Sequence, residues 1–442
     1  MSGSFSRAGL SPRLASTRHD GAMDMDGLKH RVGGDAELKT RIGFIVELSR
    51  RLHEYGTTAP RLEDVINLVS ARLGLACNVL STPTSIVMSF SDPARGDDLA
   101  EITQVVRVPP GEVNLKRLCR VDEIADRVIA GELGLDEGRR QLRDVGQRPQ
   151  SMLTDIAGVL SFGVSSGAIA VILHTGWIEA LVAALNGLMI GALSLAPRRW
   201  PSFGAALEAA AAFLSTLIAI AFAHWVMPLS LRPVVLASLI VLLPGMTLTT
   251  AVRELSSQHL ISGTARMMGA VTTLLKLIFG TAAALQVCAL FGIVPPAADS
   301  IPLPGWVEWC ALIAAAVSFA VLFKSPLRFY PVVIAAPLLG YAFTQIDGAH
   351  MPPAFGTFAG SLVVGAASNL FARVMRRPGA LVRETGIILL VPGSVGFRSL
   401  SYVLDRDVLL GIDTAVTMTA LLTAIVAGLL FGDFLIPPRR KL

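Results

Sequence analysis

Ile240-Val241-Leu242-Leu243-Pro244-Gly245 returns as Ile388-Leu389-Leu390-Val391-Pro392-Gly393, 148 positions further on and without a gap. The register outlasts the motif: Gly263 falls on Gly411, Leu274 on Leu422 and Gly280 on Gly428. Upstream, Gly176-Trp177-Ile178-Glu179 resembles Gly305-Trp306-Val307-Glu308, and Arg199-Trp200-Pro201 resembles Phe329-Tyr330-Pro331, at a slightly shorter offset. A proline has no N–H to give to the carbonyl four residues back, and a neighbouring glycine tolerates unusual backbone angles. Each Pro-Gly therefore predicts an interrupted helix with freed carbonyls. An interruption can be a plain kink or part of a substrate site, and the symmetric pair gives the two readings equal weight.

The surrounding sequence decides the solvent. The chain of 442 residues is 52% hydrophobic and 16% charged, with a mean hydropathy of +0.60, too apolar for a soluble protein of this length. Residues 1–150 are mixed and charged, and the change of composition falls near Gly146 to Gln150. Beyond it lie ten apolar runs, near 153–173, 177–196, 203–227, 232–251, 261–294, 303–323, 329–346, 353–374, 380–397 and 408–436. Each approaches the roughly 20 residues that cross a bilayer. The opening residues lack an apolar signal segment, so the first domain is expected to stay in the cytoplasm.

The net charge of +5 is a topology signal and does not point to nucleic acid. With the N-terminus inside, Arg198 and Arg199, Arg253 and Arg266, Lys324 and Arg328, then Arg373, Arg376, Arg377 and Arg383 all fall on the cytoplasmic side, followed by Arg439, Arg440 and Lys441. The exceptions on the outer side are Arg232, Arg398 and Arg406. Ten spans with both termini inside satisfy this pattern. A repeat unit of five helices, an odd number, must enter the membrane in opposite senses, so the fold class is mainly α, with two inverted five-helix repeats, an architecture of secondary transporters.

Ionisable groups inside such runs are costly and mark pathways or pairs. Asp155, Glu179, Glu308 and Asp433 lie near run ends, where snorkelling explains them. Glu208 and Asp413 are candidates for a coupling carboxylate, and Lys276 for a charge partner of Glu208; Asp155 completes this set. Thr414, Thr417 and Thr419 give the last run a polar face, which either lines a pathway or bonds back to its own helix. The expected pathway residues are Pro244, Gly245 and Thr247 in the fourth run, Pro392, Gly393 and Ser394 in the ninth, and Thr414 and Thr417. Gly163-x3-Gly167, Gly187-x3-Gly191 and Gly356-x3-Gly360 read as helix packing, and Asn186 and Asn369 as interhelical hydrogen bonds. Cys77, Cys119, Cys288 and Cys310 have no pairing spacing, and no metal or cofactor is expected.

The first domain reads as small and α+β. Two helical patterns, Ile42 to Leu52 and Leu62 to Val69, flank Gly56-Thr57-Thr58-Ala59-Pro60. Strand-like runs follow at Ala76 to Leu80, Ile86 to Phe90 and Ile102 to Val108, with a helix from about Asn114. Thr82-Pro83-Thr84 between the first two is either turn chemistry or a loop facing substrate. No P-loop or Ser/His/Asp arrangement is present, so no enzyme is read here. The expected division is a disordered stretch 1–39, the cytoplasmic domain 40–150, and membrane repeats 151–296 and 297–442.

Taken in order, Gly56-Thr57-Thr58 before a helix with Arg61, Glu63 and Asp64, then Thr82-Pro83-Thr84-Ser85-Ile86, Gly111-Glu112-Val113-Asn114-Leu115 leading into Val121-Asp122-Glu123-Ile124, and the two Pro-Gly motifs resemble the threonine/serine exporter family. The resemblance runs from about Arg41 through nearly the whole chain. It implies a ten-span inner-membrane exporter with a cytoplasmic N-terminal domain, moving L-threonine and L-serine by antiport against protons. In some relatives the membrane portions are separate chains associated with dicarboxylate efflux, so a succinate-like cargo is the alternative. A third reading, from another class, makes the first domain a membrane-anchored sensor or enzyme. Expected partners are a small amino acid, protons and the bilayer, without nucleic acid, and self-association is left open.

Overall fold

In the computed structural model, residues 25–93, 102–147, 151–293, 300–345, 352–404 and 407–438 are described. The first described element is helix α1, Met25–Glu54, which starts inside the stretch 1–39 expected to lack structure; residues 1–24 lie outside the described residues. Gly56, at φ 84°, turns the chain beneath Val113, where any other residue would be strained. Thr58 in extended conformation and Pro60 at the second helical position then start α2, Ala59–Arg72.

Strands β1 (Ala76–Thr82), β2 (Ser85–Ser91) and β3 (Ile102–Arg107) form an antiparallel meander in that order. Alternation along β2 buries Ile86, Met88 and Phe90 under Phe44, Ile45 and Leu48 of α1 and Leu62 and Ile66 of α2. The Thr82 to Ser85 segment is turn chemistry: the Thr82 hydroxyl donates to the Ser85 carbonyl at 3.0 Å and accepts the Ser85 amide at 3.0 Å. Asn114 caps α3, Leu115–Ile129, by accepting the Arg117 amide, and α4, Leu135–Gln147, closes the domain.

The remaining chain is helical. It contains α5 (Met152–Ile172), α6 (Trp177–Leu193), α7 (Leu207–Trp225), α8 (Leu231–Ser238), α9 (Gly245–Ser256) and α10 (Leu260–Leu290). These are followed by α11 (Gly305–Leu322), α12 (Tyr330–Thr344), α13 (Pro353–Met375), α14 (Ala380–Ile387), α15 (Gly393–Leu404) and α16 (Val408–Leu435). Among the described residues, eight of these are long and apolar enough to cross a membrane. The fourth and ninth runs do not form single helices. Each is two short helices, α8 with α9 and α14 with α15, separated at the Pro-Gly motif.

Helix packing follows pairs. α10 lies on α7 and α16 on α13; α9 on α10 and α15 on α16; α8 on α6 and α14 on α12; α5 meets α11. Gly280 of α10 lets that helix approach Ala212 of α7, and Gly428 of α16 lets it approach Phe358 of α13. A Cβ at Gly187 would fall on Ser166 of α5, and one at Gly360 on the Gly340 carbonyl of α12, so small-residue spacing packs helices here. The resemblance of Gly176–Glu179 to Gly305–Glu308 sets α6 against α11, and that of residues 199–201 to 329–331 sets a link against the start of α12. Neither fits the 148-residue register, in which five helices intervene.

Candidate functional site

The two breaks meet. A Cβ built on Gly393 would lie 3.2 Å from the Gly245 Cα and 3.3 Å from Leu243 Cβ, and one on Gly245 would lie 3.3 Å from the Gly393 Cα. Only glycine allows two backbones this close. Pro244 and Pro392 cannot donate to Ile240 and Ile388, and among the described residues no backbone amide donates to the carbonyls of Ile240, Val241, Leu242, Ile388, Leu389 or Leu390. Beside the crossing lies a cavity of about 140 Å³, lined by the breaks, by Ile169 and Leu173 at the end of α5, and by α11 and α12. Its polar contributions are Ser394, Tyr341 and backbone. Among the described residues, no lysine or arginine lines it.

Tyr341 extends the site, since its hydroxyl donates to Glu308 Oε1 at 2.8 Å. Sequence reasoning set Glu308 aside as a residue near a helix end, which it is, in the first turn of α11. Its partner stands 33 positions away, so only the repetition of an end-of-run glutamate could have drawn attention to it.

Of the twelve residues expected at the site, Gly245, Gly393 and Ser394 line the cavity, with Pro244 and Pro392 setting the breaks. Thr247 lies on α9 away from that lining. Glu208, in the first turn of α7, faces Lys276 of α10 at 3.5 Å. Asp155 is held by Arg198 of the α6–α7 link, Nη2 to Oδ1 2.9 Å. Asp413 is on an exposed stretch of α16, where Thr414 and Thr417 bond back to the carbonyls of Leu410 and Asp413.

On the opposite side of the breaks the N-terminal domain is fastened to the helices. Glu254, near the end of α9, has a fully buried side chain. It accepts the Ala59 amide of α2 at 3.0 Å, the Ser262 hydroxyl at 2.7 Å and the Arg266 Nε at 3.0 Å. Arg253 donates to Thr58 Oγ1 at 3.0 Å, and His259 Nε2 lies 3.2 Å from Glu63, whose other oxygen accepts the Ser81 amide. The amides of Leu115 and Lys116 donate to Phe323 and Lys324 at the end of α11. Arg377 reaches Glu123 at 3.5 Å.

Nearby, Arg383 donates to Asp433 at 2.7 Å and to Asn369 at 3.1 Å, tying α14, α13 and α16 together. Burial pushes the Arg61 guanidinium below its usual value, against the opposing pull of Asp122. His53 is also pushed down by burial, and its Nε2 sits 3.1 Å from the Pro83 carbonyl. The sequence reads Arg253 only as a marker of sidedness, and Arg266, a candidate cavity cation for a dicarboxylate, instead lies on Glu254 and away from the cavity at the breaks.

A family model described as "Putative threonine/serine exporter" matches residues 43–288, and a second, "Threonine/Serine exporter, ThrE", matches residues 308–435. The threonine/serine exporter of Corynebacterium glutamicum is 24% identical over 346 residues, covering 74% of this chain and 70% of that protein. Pheromone-regulated membrane protein 10 of Saccharomyces cerevisiae (strain YJM789) is 26% identical over 398 residues, covering 85% and 50%. Its namesake in Zygosaccharomyces rouxii is 25% identical over 374 residues, covering 82% and 37%. The chain thus spans half or less of the length of these two yeast relatives. No solved structure matches. With the first family model alone covering more than half of it, the chain belongs to the threonine/serine exporter family of multi-pass membrane transporters, which are not enzymes.

Proposed function

We propose that this chain is a secondary active exporter of small polar amino acids, L-threonine and L-serine, in the inner membrane. In this reading it crosses the membrane ten times, with both termini in the cytoplasm. Eight crossings are the long helices; the other two are the broken pairs, 231–256 and 380–404, each long enough to span roughly 30 Å. Residues 151–296 and 297–442 are then inverted halves. The observation that carries the reading is the reciprocal contact of Gly245 with Gly393. Each stands at the equivalent place in a register of 148, and the helix pairs that pack within one half have equivalents in the other. A site at the crossing of two such halves can be opened to either side by exchanging their conformations.

The cavity favours a zwitterion over a dicarboxylate. A dianion placed among apolar side chains and free carbonyls, without a cation, would lose its hydration uncompensated. An amino acid offers an ammonium group to the carbonyls of the breaks and a carboxylate to hydroxyl and amide donors. Glu308, linked to the cavity through Tyr341, is the carboxylate placed to exchange a proton as the site changes sides. The relative from Corynebacterium glutamicum, by its name, exports the same two amino acids. The domain of residues 40–150 acts as a cover fastened to α9 on the cytoplasmic side. Cells expressing the chain and fed a threonine dipeptide should release more free threonine than cells with an empty vector. Equal release from both would sink the reading.

A further inference from the structure

A second cavity, of about 360 Å³, lies between α7, α8, α10 and α15. It shares Leu173 with the cavity at the breaks. Its walls are apolar, but its polar groups are sorted. At the mouth are Arg232 and Arg398, with Tyr402 stacked against Arg232 at 6.0 Å and Ser401 beside it. Deeper lies Thr216, wholly buried, whose hydroxyl has no hydrogen-bond partner among the described residues. A buried hydroxyl left unsatisfied is costly, and in native proteins it calls for a ligand or water.

Arg232 and Arg398 are also two of the cations that the topology pattern places on the wrong side of the membrane. Arg398 is exposed, and no hydrogen bond or ion pair reaches it among the described residues. A guanidinium offers a carboxylate a paired set of donors, and apolar walls strengthen that contact by excluding water.

We propose that this cavity is a second binding site, on the outer side of the breaks, for a small carboxylate that also carries a hydrogen-bonding group. The carboxylate sits at Arg398 and the polar group reaches Thr216. In an exporter this is the last station before release, so the inference rests on the transport reading for its role but not for its chemistry.

The test uses full-length protein in oriented membrane vesicles with Ser401→Cys at the mouth, and the unsubstituted chain as background for Cys77, Cys119, Cys288 and Cys310. The rate of modification by a membrane-impermeant thiol reagent is measured with L-threonine, with succinate, and with threonine methyl ester, which lacks the carboxylate charge. L-threonine at a concentration about ten times its Kd should slow modification about tenfold, and the ester should not. Arg398→Gln should abolish the protection. Should Ser401→Cys fail to insert, thermal stabilisation of the unsubstituted protein by L-threonine, absent with the ester and in Arg398→Gln, gives the same answer. Protection by succinate alone would reassign the ligand to dicarboxylates and overturn the second requirement. Equal protection by ester and acid, or none by either acid, overturns the site. Export without protection removes only this site, whereas protection without export removes only the transport reading.

Discussion

Helices α9 and α15 start from equivalent glycines and run to opposite fates. α9 ends against protein: Arg253 and Glu254 are taken up by Thr58 and the Ala59 amide of the N-terminal domain, and Arg266 neutralises the carboxylate. α15 ends beside open space, where Phe397, Arg398, Ser401 and Tyr402 line a cavity. The same motif thus closes one side and leaves the other accessible. In the alternating-access reading proposed above, this difference is a conformational state. The closed side is held by a few buried polar contacts that would have to be released before the halves could exchange roles.

The largest way to break this comparison is at the closed end. Glu254→Ala leaves Arg266 and the Ala59 amide without their acceptor, a loss of about 3–5 kcal/mol for a buried pair. The domain should come away from α9, and residues 40–147 should become sensitive to limited proteolysis while the helices stay inserted. Retained protection would show that Glu254 is not what holds the domain. At the shared start, Gly393→Val forces a side chain against the Gly245 backbone, with overpacking of about 1–3 kcal/mol. Export should fall to background in membranes that still contain the protein. Normal export would mean that the breaks need not approach.

Tyr341→Phe sharpens the comparison further, since it leaves both ends intact and removes only the hydroxyl bonded to Glu308. Gradient-driven export should fall by about tenfold to a hundredfold, the worth of one hydrogen bond to a charged group. An unchanged rate would detach Glu308 from the cavity. The smallest effect concerns pH. His53 is held below its usual 6.5 by burial, so its neutral form belongs to the fold. The unfolded chain takes the proton first, and the stability contributed is present above pH 6.5 and lost as the pH falls toward the lowered folded value. His53→Gln should flatten that part of the melting profile; an unaltered profile would place the sensitivity elsewhere.

What the sequence made legible was backbone chemistry. Pro244 and Pro392 lack an N–H wherever they stand, so the breaks could be read directly, as could the alternation of Ile86, Met88 and Phe90 in β2. Hydropathy alone does not register a missing hydrogen bond, so the ten apolar runs needed the Pro-Gly motifs to show that two of them are broken. The charged residues were the least legible. Glu208 and Lys276, the charge pair expected from the sequence, lie 3.5 Å apart, yet neither lines the cavity at the breaks. Asp413 looked central because threonines surround it, but those hydroxyls are spent on their own helix. Glu254 and Glu308 could not be singled out, since what distinguishes them is the partner they find 195 and 33 positions away. Which ionisable residue matters is settled by tertiary packing, and spacing along one helix carries little of it.

The most direct test of the central claim is L-threonine transport in proteoliposomes, comparing the unsubstituted chain with Glu308→Gln in both counterflow and pH-gradient-driven modes. Counterflow should persist in both proteins for threonine and serine and be absent for succinate, and only the unsubstituted chain should accumulate threonine against a gradient. Counterflow of succinate alone, or equal gradient-driven accumulation by the two proteins, would contradict the assignment of cargo or of coupling.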